Sequence, residues 1–338
     1  MTGGWEALAR AVEEANALVT AAAPDAATAA EGEAYVTRVM AAGLGGAVLG
    51  HLFRQDGLSR ALPCYGGPNP DYIMRFAPVD PAGRYRIEGR LNGSERVGIG
   101  LYTYGPTGAP LIAGYAAFDA TNCAADGSFA IDIGEGAEAQ GGLPIQPGTR
   151  VMLARVLHRD AGSDPAHLRF TGGAPDTGLA LAMGSNDAAL AFVAKSLGNN
   201  VREYLKWTQA ARALTNRLDL APPELTATVQ GDADTQYFLG GFDLAPDEWL
   251  DVTMPAGMPG YWSLHAYNVW YEHLQVPGAH DRNTVAEADG TVRIAVGPKL
   301  PENAANRIDT LGRSKGAFVC RIIGGVSAAP QAVVRKLG

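Results

Sequence analysis

Two tryptophans, three tyrosines and two histidines fall within thirteen positions, Tyr261-Trp262-Ser263-Leu264-His265-Ala266-Tyr267-Asn268-Val269-Trp270-Tyr271-Glu272-His273. An imidazole can move a proton near neutral pH, and a phenol can donate to a developing oxyanion. Side chains along a strand alternate between faces, which puts Tyr261, Ser263, His265 and Tyr267 on one side and Trp262, Leu264 and Ala266 on the other. The apolar side suits a sheet interior. The polar side offers acid–base groups, with Asn268, Trp270 and Tyr271 extending the aromatic concentration as binding residues. Trp262 reads as core.

Two further segments carry the same kinds of group. The loop 301–315 holds Asn306, Arg307, Asp309 and Arg313, and arginine's planar fork can hold a carboxylate or polyol at two points. A structural reading explains it as well: Asp309 accepts backbone amides and Arg321 pairs with it. The segment 71–84 holds Asp71, Tyr72, Arg75, Asp80 and Arg84 in a loop entering the first strand. There Arg75 either positions an anionic or hydroxylated substrate or makes a salt bridge with Asp80.

Cofactor signatures are missing. His265, Glu272, His273, His280 and Asp281 lie close together but fit neither the paired histidines of a helical zinc site nor the short His-x-His of cupins, so no metal is expected. No Gly-x-Ser-x-Gly elbow or Walker motif occurs, and Cys123 has no local histidine to activate it. The glycine-rich stretch 43–50 follows no strand, so close helix packing explains it better than a dinucleotide loop. No cofactor is expected.

Elements must position these groups. Trp5, Leu8, Val12, Ala15 and Val19 recur at helical spacing up to Pro24, and a second helix is expected over 29–53, giving a helical hairpin. Short alternating runs at 85–90, 97–104, 111–118, 129–133 and 151–157 are separated by turn pairs such as Asn92-Gly93 and Asp126-Gly127. After Ser185-Asn186-Asp187 the period is helical again, with Leu190, Val193, Leu197, Val201, Tyr204, Leu205, Thr208, Ala211 and Leu214 on one face. Gly198 leaves open a kink or two helices. Strands resume at 237–242, 249–254, 261–273, 292–296, 317–323 and 329–335.

The chain of 338 residues is 47% hydrophobic and 18% charged, enough to bury a large core. A net charge of −8 without clustered Lys and Arg argues against a nucleic-acid surface. The start lacks a basic segment followed by an apolar one, and the apolar run 40–50 is too short and glycine-rich to span a bilayer, so no membrane is expected. Three scattered cysteines fit a reducing compartment, hence a cytoplasmic expectation. With 43 Gly and 21 Pro the bulk should be β.

Several anchors resemble the bacterial "domain of unknown function twelve-fourteen" family, whose C-terminal half is a jelly-roll-like β-sandwich. They are Phe242-Asp243-Leu244 with Pro246-Asp247-Glu248, Val252-Thr253 with Pro255, Tyr261-Trp262-Ser263-Leu264, Asp289-Gly290-Thr291-Val292, and Asn306 with Asp309-Thr310, Gly312, Gly316 and Arg321. Upstream, Asn69-Pro70-Asp71-Tyr72 with Arg75-Phe76-Ala77-Pro78 resembles single-chain members. Arg307 stands where relatives usually have Trp, and Arg313 where they often have His. The resemblance implies a fold and no reaction.

The expected fold is mainly β with helical additions (α+β): a helical cap at 1–60, a first β domain at 61–184, a helical insertion at 185–222 and a jelly-roll-like β domain at 223–338. The expected function is a cofactor-independent lyase, hydratase or isomerase using Tyr/His acid–base chemistry on a small hydroxylated or cyclic substrate. Catalytic candidates are His265, Tyr267, Tyr72 and Asp309; binding candidates are Arg75, Tyr261, Asn268, Trp270, Tyr271, Asn306 and Arg307. The alternative is a non-catalytic module binding a carbohydrate or terpenoid through Trp262, Trp270 and Tyr271. A small-molecule partner is expected, and the apolar helix face 190–214 could also bury against a second copy in a homodimer.

Overall fold

The computed structural model describes residues 3–49, 54–60, 66–105, 110–173, 186–227, 231–258, 260–326 and 328–338. Helix α1 (Gly3–Ala22) buries Leu8, Ala15 and Val19. Pro24 and Asp25 end it, and the Asp25 carboxylate caps α2 (Ala26–Leu44) by accepting from Thr28 N at 2.8 Å. The expected run to 53 stops early: α2 passes into a π-helical turn, Gly45–Leu49, where glycines weaken the regular ladder. Residues 50–53 lie outside the described residues, as do Cys64 and Ser185.

Nine strands follow among the described residues. They are β1 (Arg54–Gln55), β2 (Leu58–Arg60), β3 (Tyr72–Pro78), β4 (Tyr85–Arg90), β5 (Arg96–Tyr104), β6 (Pro110–Asp119), β7 (Ser128–Ile133), β8 (Thr149–Leu157) and β9 (His167–Gly172). They form a six-stranded sheet, β1-β2-β3-β8-β5-β6, and a three-stranded sheet, β7-β4-β9. Period-2 alternation sets the packing. Val97, Ile99 and Leu101 of β5 and Met152, Ala154 and Val156 of β8 share a core with Ile87, Ile131, Ile133 and Leu168 from the smaller sheet. The opposite face of β5 and β8 carries Arg96, Gly98, Gly100, Tyr102 and Arg155, and it turns toward the second half of the chain.

Helix α3 (Asn186–Ala213) runs unbroken through Gly198, so of the alternatives left open by the sequence the two separate helices are not formed. It packs on α1 through Leu8, Leu190 and Val193. Trp5, expected on the packed stripe, is 47% exposed. Its neighbour Gly4 takes the contact instead, where a Cβ would come within 2.7 Å of Asp187 O.

The chain then continues as β10 (Asp219–Leu220), a short helix α4 (Pro223–Thr226), β11 (Thr235–Asp243), β12 (Glu248–Met254), β13 (Trp262–Tyr267), β14 (Ala279–His280), β15 (Val292–Gly297), β16 (Arg307–Asp309), β17 (Lys315–Ile323) and β18 (Gln331–Lys336). A five-stranded sheet, β10-β11-β17-β13-β14, faces a four-stranded one, β16-β15-β12-β18. Their strand pairs are antiparallel apart from β15–β16. Trp262, Leu264, Phe318, Cys320 and Ile322 meet Leu250, Val252, Ile294 and Val296 in a second core, each large side chain contributing roughly 1.5–3 kcal/mol by burial. The fold is thus α+β, two antiparallel sandwiches with helical additions.

The outer face of the five-stranded sheet has two neighbours. Trp207 and Ala211 of α3 cover Leu239, Tyr267, Ala317 and Val319. The rest of that face, including Ser263 and His265, meets the loop leading into β3 of the first sandwich. Among the described residues no helix is long and apolar enough to cross a membrane.

Candidate functional site

Strand β13 ends at Tyr267, six residues before the aromatic run does. Asn268 stops it: its Oδ1 accepts from Trp270 N and Glu272 N, both at 3.0 Å, and its own N–H donates to Glu272 O at 2.9 Å. A side chain that satisfies two backbone amides competes with the sheet ladder. Tyr271 takes φ 58°, and His273 returns to bridge Tyr267. The expected strand to 273 is therefore a strand plus a tight reversal.

That reversal reassigns three expected binding residues. Trp270 is 1% exposed, stacks on Tyr35 of α2 with ring centroids 6.1 Å apart, and donates from Nε1 to Thr28 O at 3.1 Å. Tyr271 is 1% exposed and meets Trp207 of α3 edge-on. Asn268 donates from Nδ2 to Glu272 at 2.9 Å, and Glu272 is held by Arg38 of α2 at 2.5 and 2.6 Å. These groups fasten the helices to β13 and present no aromatic plane to solvent.

The polar face keeps the expected parity. Register places Tyr237, Arg321, Ser263 and His280 side by side across β11, β17, β13 and β14, with Tyr261 and His265 flanking Ser263 along β13. Into this face projects Asp71, whose backbone O accepts from His158 N at 2.9 Å. The Tyr261 hydroxyl donates to Asp71 Oδ2 at 2.7 Å, accepts from Asn69 Nδ2 at 2.7 Å and lies 2.7 Å from Ser263 Oγ. His265 Nε2 reaches the same Asp71 oxygen at 3.4 Å. The Arg159 guanidinium lies 5.0 Å over the Tyr261 ring, and is itself paired with Glu95 and Asp281.

Burial and pairing set the charge states. Burial raises the Asp71 carboxyl, but hydrogen bonding and attraction from His265, with the Tyr261 hydroxyl, outweigh it and hold it at about 2. Burial lowers His265 below the usual imidazole range against the pull of Asp71. His273, whose ring meets His265 edge-on at 5.5 Å, is lowered to about 4 by burial and by repulsion from His265 and Arg321. Burial with the Asp71 charge pushes the Tyr261 phenol far up. The resulting state at neutral pH is an ionised carboxylate, neutral imidazoles and a protonated phenol.

Of the expected catalytic residues, His265 sits in this cluster and Tyr267 borders it. The Tyr267 hydroxyl donates to Pro68 O at 2.8 Å and accepts from Arg321 Nη1 at 2.9 Å, which makes it a strut between chain segments. Tyr72 meets Tyr261 edge-on at 5.9 Å, and its buried hydroxyl finds no partner among the described residues. Asp309 is a correction. It is exposed on edge strand β16, across the second core from His265, where it accepts from Leu311 N at 2.7 Å. The backbone half of its structural reading holds, whereas Arg321 pairs with Tyr267 and Gly67 O instead of with Asp309.

Three binding candidates are corrected with it. Asn306 ties Val285 and Arg293 backbones together at 2.7–2.8 Å, and exposed Arg307 donates to Pro301 O and Glu302 O. Arg75 lies on the face of β3 opposite Tyr72, in register with Arg60 and Ala154, while Asp80 accepts from Ala82 N. Arg313 pairs with Glu31 of α2 at 2.6 Å. The loop 301–315, expected to hold a carboxylate or polyol, is thus fastened to its own sheet and, through Arg313, to α2. Asp71, Asn69, Ser263, His273 and Arg321 are the cluster members not assigned a site role from sequence. Among the described residues no group of three or more His, Cys, Asp or Glu is arranged to hold a metal ion.

Residues 213–323 match the model of the family described as "Protein of unknown function (DUF1254)". This is the C-terminal part that carries the resemblance in the sequence, though the number differs from twelve-fourteen. The crystal structure of an uncharacterised protein from Burkholderia cenocepacia is similar at 25% identity and a TM-score of 0.84, covering 98% of this chain and 96% of that one. The VPA0106 protein from Vibrio parahaemolyticus matches at 11% identity and a TM-score of 0.48 over 90% of this chain and 97% of that one. No curated protein matches. The α+β architecture is therefore shared with the Burkholderia cenocepacia protein along almost the whole chain.

Proposed function

We propose that the protein is a cofactor-independent enzyme of the lyase, hydratase or isomerase kind, moving protons on a small hydroxylated or cyclic organic substrate. His265 is its base and Asp71 the group that orients it. One observation carries this reading. A single ionised oxygen, Asp71 Oδ2, is shared by the Tyr261 hydroxyl and His265 Nε2, which leaves the buried Nδ1 of His265 without a protein partner among the described residues. A carboxylate that holds one imidazole nitrogen as a donor leaves the other as a base. The carbohydrate- or terpenoid-binding alternative needs exposed aromatic planes and finds less support, since Trp262, Trp270 and Tyr271 are all buried.

The test is deuterium incorporation from D2O into the C–H bonds of a panel of small alcohols, hydroxy acids and cyclic ketones, followed by proton NMR. Wild-type protein should exchange at least one panel member, and His265→Gln should slow that exchange by about 100-fold or more. Equal exchange by both proteins, or none by the wild type, would overturn the assignment.

A further inference from the structure

His265 and His273 hold complementary tautomers. The ionised Asp71 oxygen faces Nε2 of His265, so that nitrogen carries the proton and Nδ1 presents a lone pair. On His273 the order is opposite in effect. The Gln275 backbone N–H donates to Nδ1 at 3.1 Å, so Nδ1 is the acceptor and the proton resides on Nε2. One ring therefore offers an acceptor and its neighbour a donor. Both atoms, His265 Nδ1 and His273 Nε2, are buried and meet no hydrogen-bond partner among the described residues, each other included.

A buried donor and a buried acceptor left unmatched are each unfavourable. Here they belong to rings whose centroids are 5.5 Å apart. The chain also brings backbone close against the ring that carries the acceptor. Gly278 is the lateral neighbour of His265 next to β14, and a Cβ there would stand 2.1 Å from Nδ1 and 2.3 Å from Cε1. Any other side chain would press on the ring beside Nδ1 and displace it.

We infer that His265 Nδ1 and His273 Nε2 together form a subsite for one alcohol hydroxyl of the substrate, which donates to the first nitrogen and accepts from the second. A hydroxyl is the group that matches, because it brings one donor and an accepting oxygen to the same point. A carboxylate brings no donor for Nδ1, and an ammonium brings no acceptor for Nε2–H. When His265 takes the hydroxyl proton, the electron pair stays on the alcohol oxygen, and His273 Nε2–H stabilises the charge that develops there. His273 is then a catalytic residue equal in rank to His265. This assignment rests on the acid–base reading of the same cluster.

The test uses full-length protein with nitrogen-15 histidine, long-range proton–nitrogen correlation spectra and a matched probe pair, cyclopentanol and its methyl ether. Cyclopentanol should shift the His265 Nδ1 and His273 Nε2 resonances saturably, and the methyl ether, which cannot donate, should leave Nδ1 in place. His273→Phe should keep the edge-on ring contact while weakening cyclopentanol binding by about tenfold, and Gly278→Ala should abolish it. Equal responses to both probes, no response to cyclopentanol, or ring signals occupied by a resident water only would each overturn the subsite. If the tautomers are as stated but neither probe acts, the hydroxyl assignment fails while the Asp71–His265 base remains open to the deuterium-exchange test.

Discussion

Asp71 and His265 are 194 positions apart in sequence, and their side chains meet at 3.4 Å between the two sandwiches. Neither environment alone explains the pair. Desolvation acts against both charged forms, raising the carboxyl and lowering the imidazole. The carboxylate wins because it is held by His265 first and accepts from the Tyr261 hydroxyl as well. The imidazole stays neutral, as a base must before it acts.

The Asp71 carboxylate should stabilise the protein in a defined pH window. Its value falls from 3.8 to about 2 on folding, so the folded state binds fewer protons and the contribution is full above about pH 4. It is lost as pH drops through about 2, and amounts to about 2 kcal/mol. Urea unfolding of wild type and Asp71→Asn should diverge at pH 5 by that amount and converge toward pH 2. Equal divergence at both pH values would show that the variant disturbs packing and not charge.

His273 should act in a higher window with the same sign. Its value is depressed to about 4, so the unfolded chain binds its proton first. Stability is full above about pH 6.5 and declines as pH falls toward 4, by up to about 3 kcal/mol. His265, also lowered, adds a contribution of the same direction. In His273→Phe the stability slope between pH 4 and 6.5 should flatten by about half or more. An unchanged slope would place the titration elsewhere.

Trp270 should be structural despite its place beside the site. It stacks on Tyr35, donates to Thr28 O and lies so close to Gly32 that a Cβ there would stand 2.9 Å from its ring. Trp270→Ala should cost about 3–5 kcal/mol in guanidinium unfolding, with loss of helical signal before β signal as α1 and α2 detach. A loss under about 1 kcal/mol would mean that the helices are held by other contacts.

Legibility of this fold followed the locality of the signal. Strand β4 matches its expected bounds because Tyr85 and Ile87 turn inward while Arg86 and Glu88 face solvent. Strand β3 read as a loop because its second face is also half-buried, so Tyr72, Met74 and Phe76 interrupt any alternation with Ile73 and Ala77. The polar parity of Tyr261, Ser263 and His265 was legible for the same reason β4 was. The reversal at Asn268 was not, since a side-chain cap leaves no periodic trace. Nor could spacing bring Asp71 to His265, or remove Asp309 to the far edge of the other sheet.

The contrast between two arginines separates the histidine cluster from the loop 301–315 as the working surface. Arg321 is 7% exposed, donates to Tyr267 Oη and Gly67 O, and lies 5.8–5.9 Å from the Tyr267 and Tyr237 rings. Arg321→Met leaves those acceptors unmatched and should cost roughly 2–4 kcal/mol, loosening the 67–71 segment that carries Asp71. Arg307 is exposed and among the described residues bonds only to its own loop, so Arg307→Ala should change stability by no more than about 0.5 kcal/mol and leave turnover intact. Thermal unfolding and deuterium exchange on both variants check this. If Arg307→Ala slowed exchange while Arg321→Met did not, the working surface would lie at the 306–313 loop, and the histidine cluster would be a buried polar network of the fold.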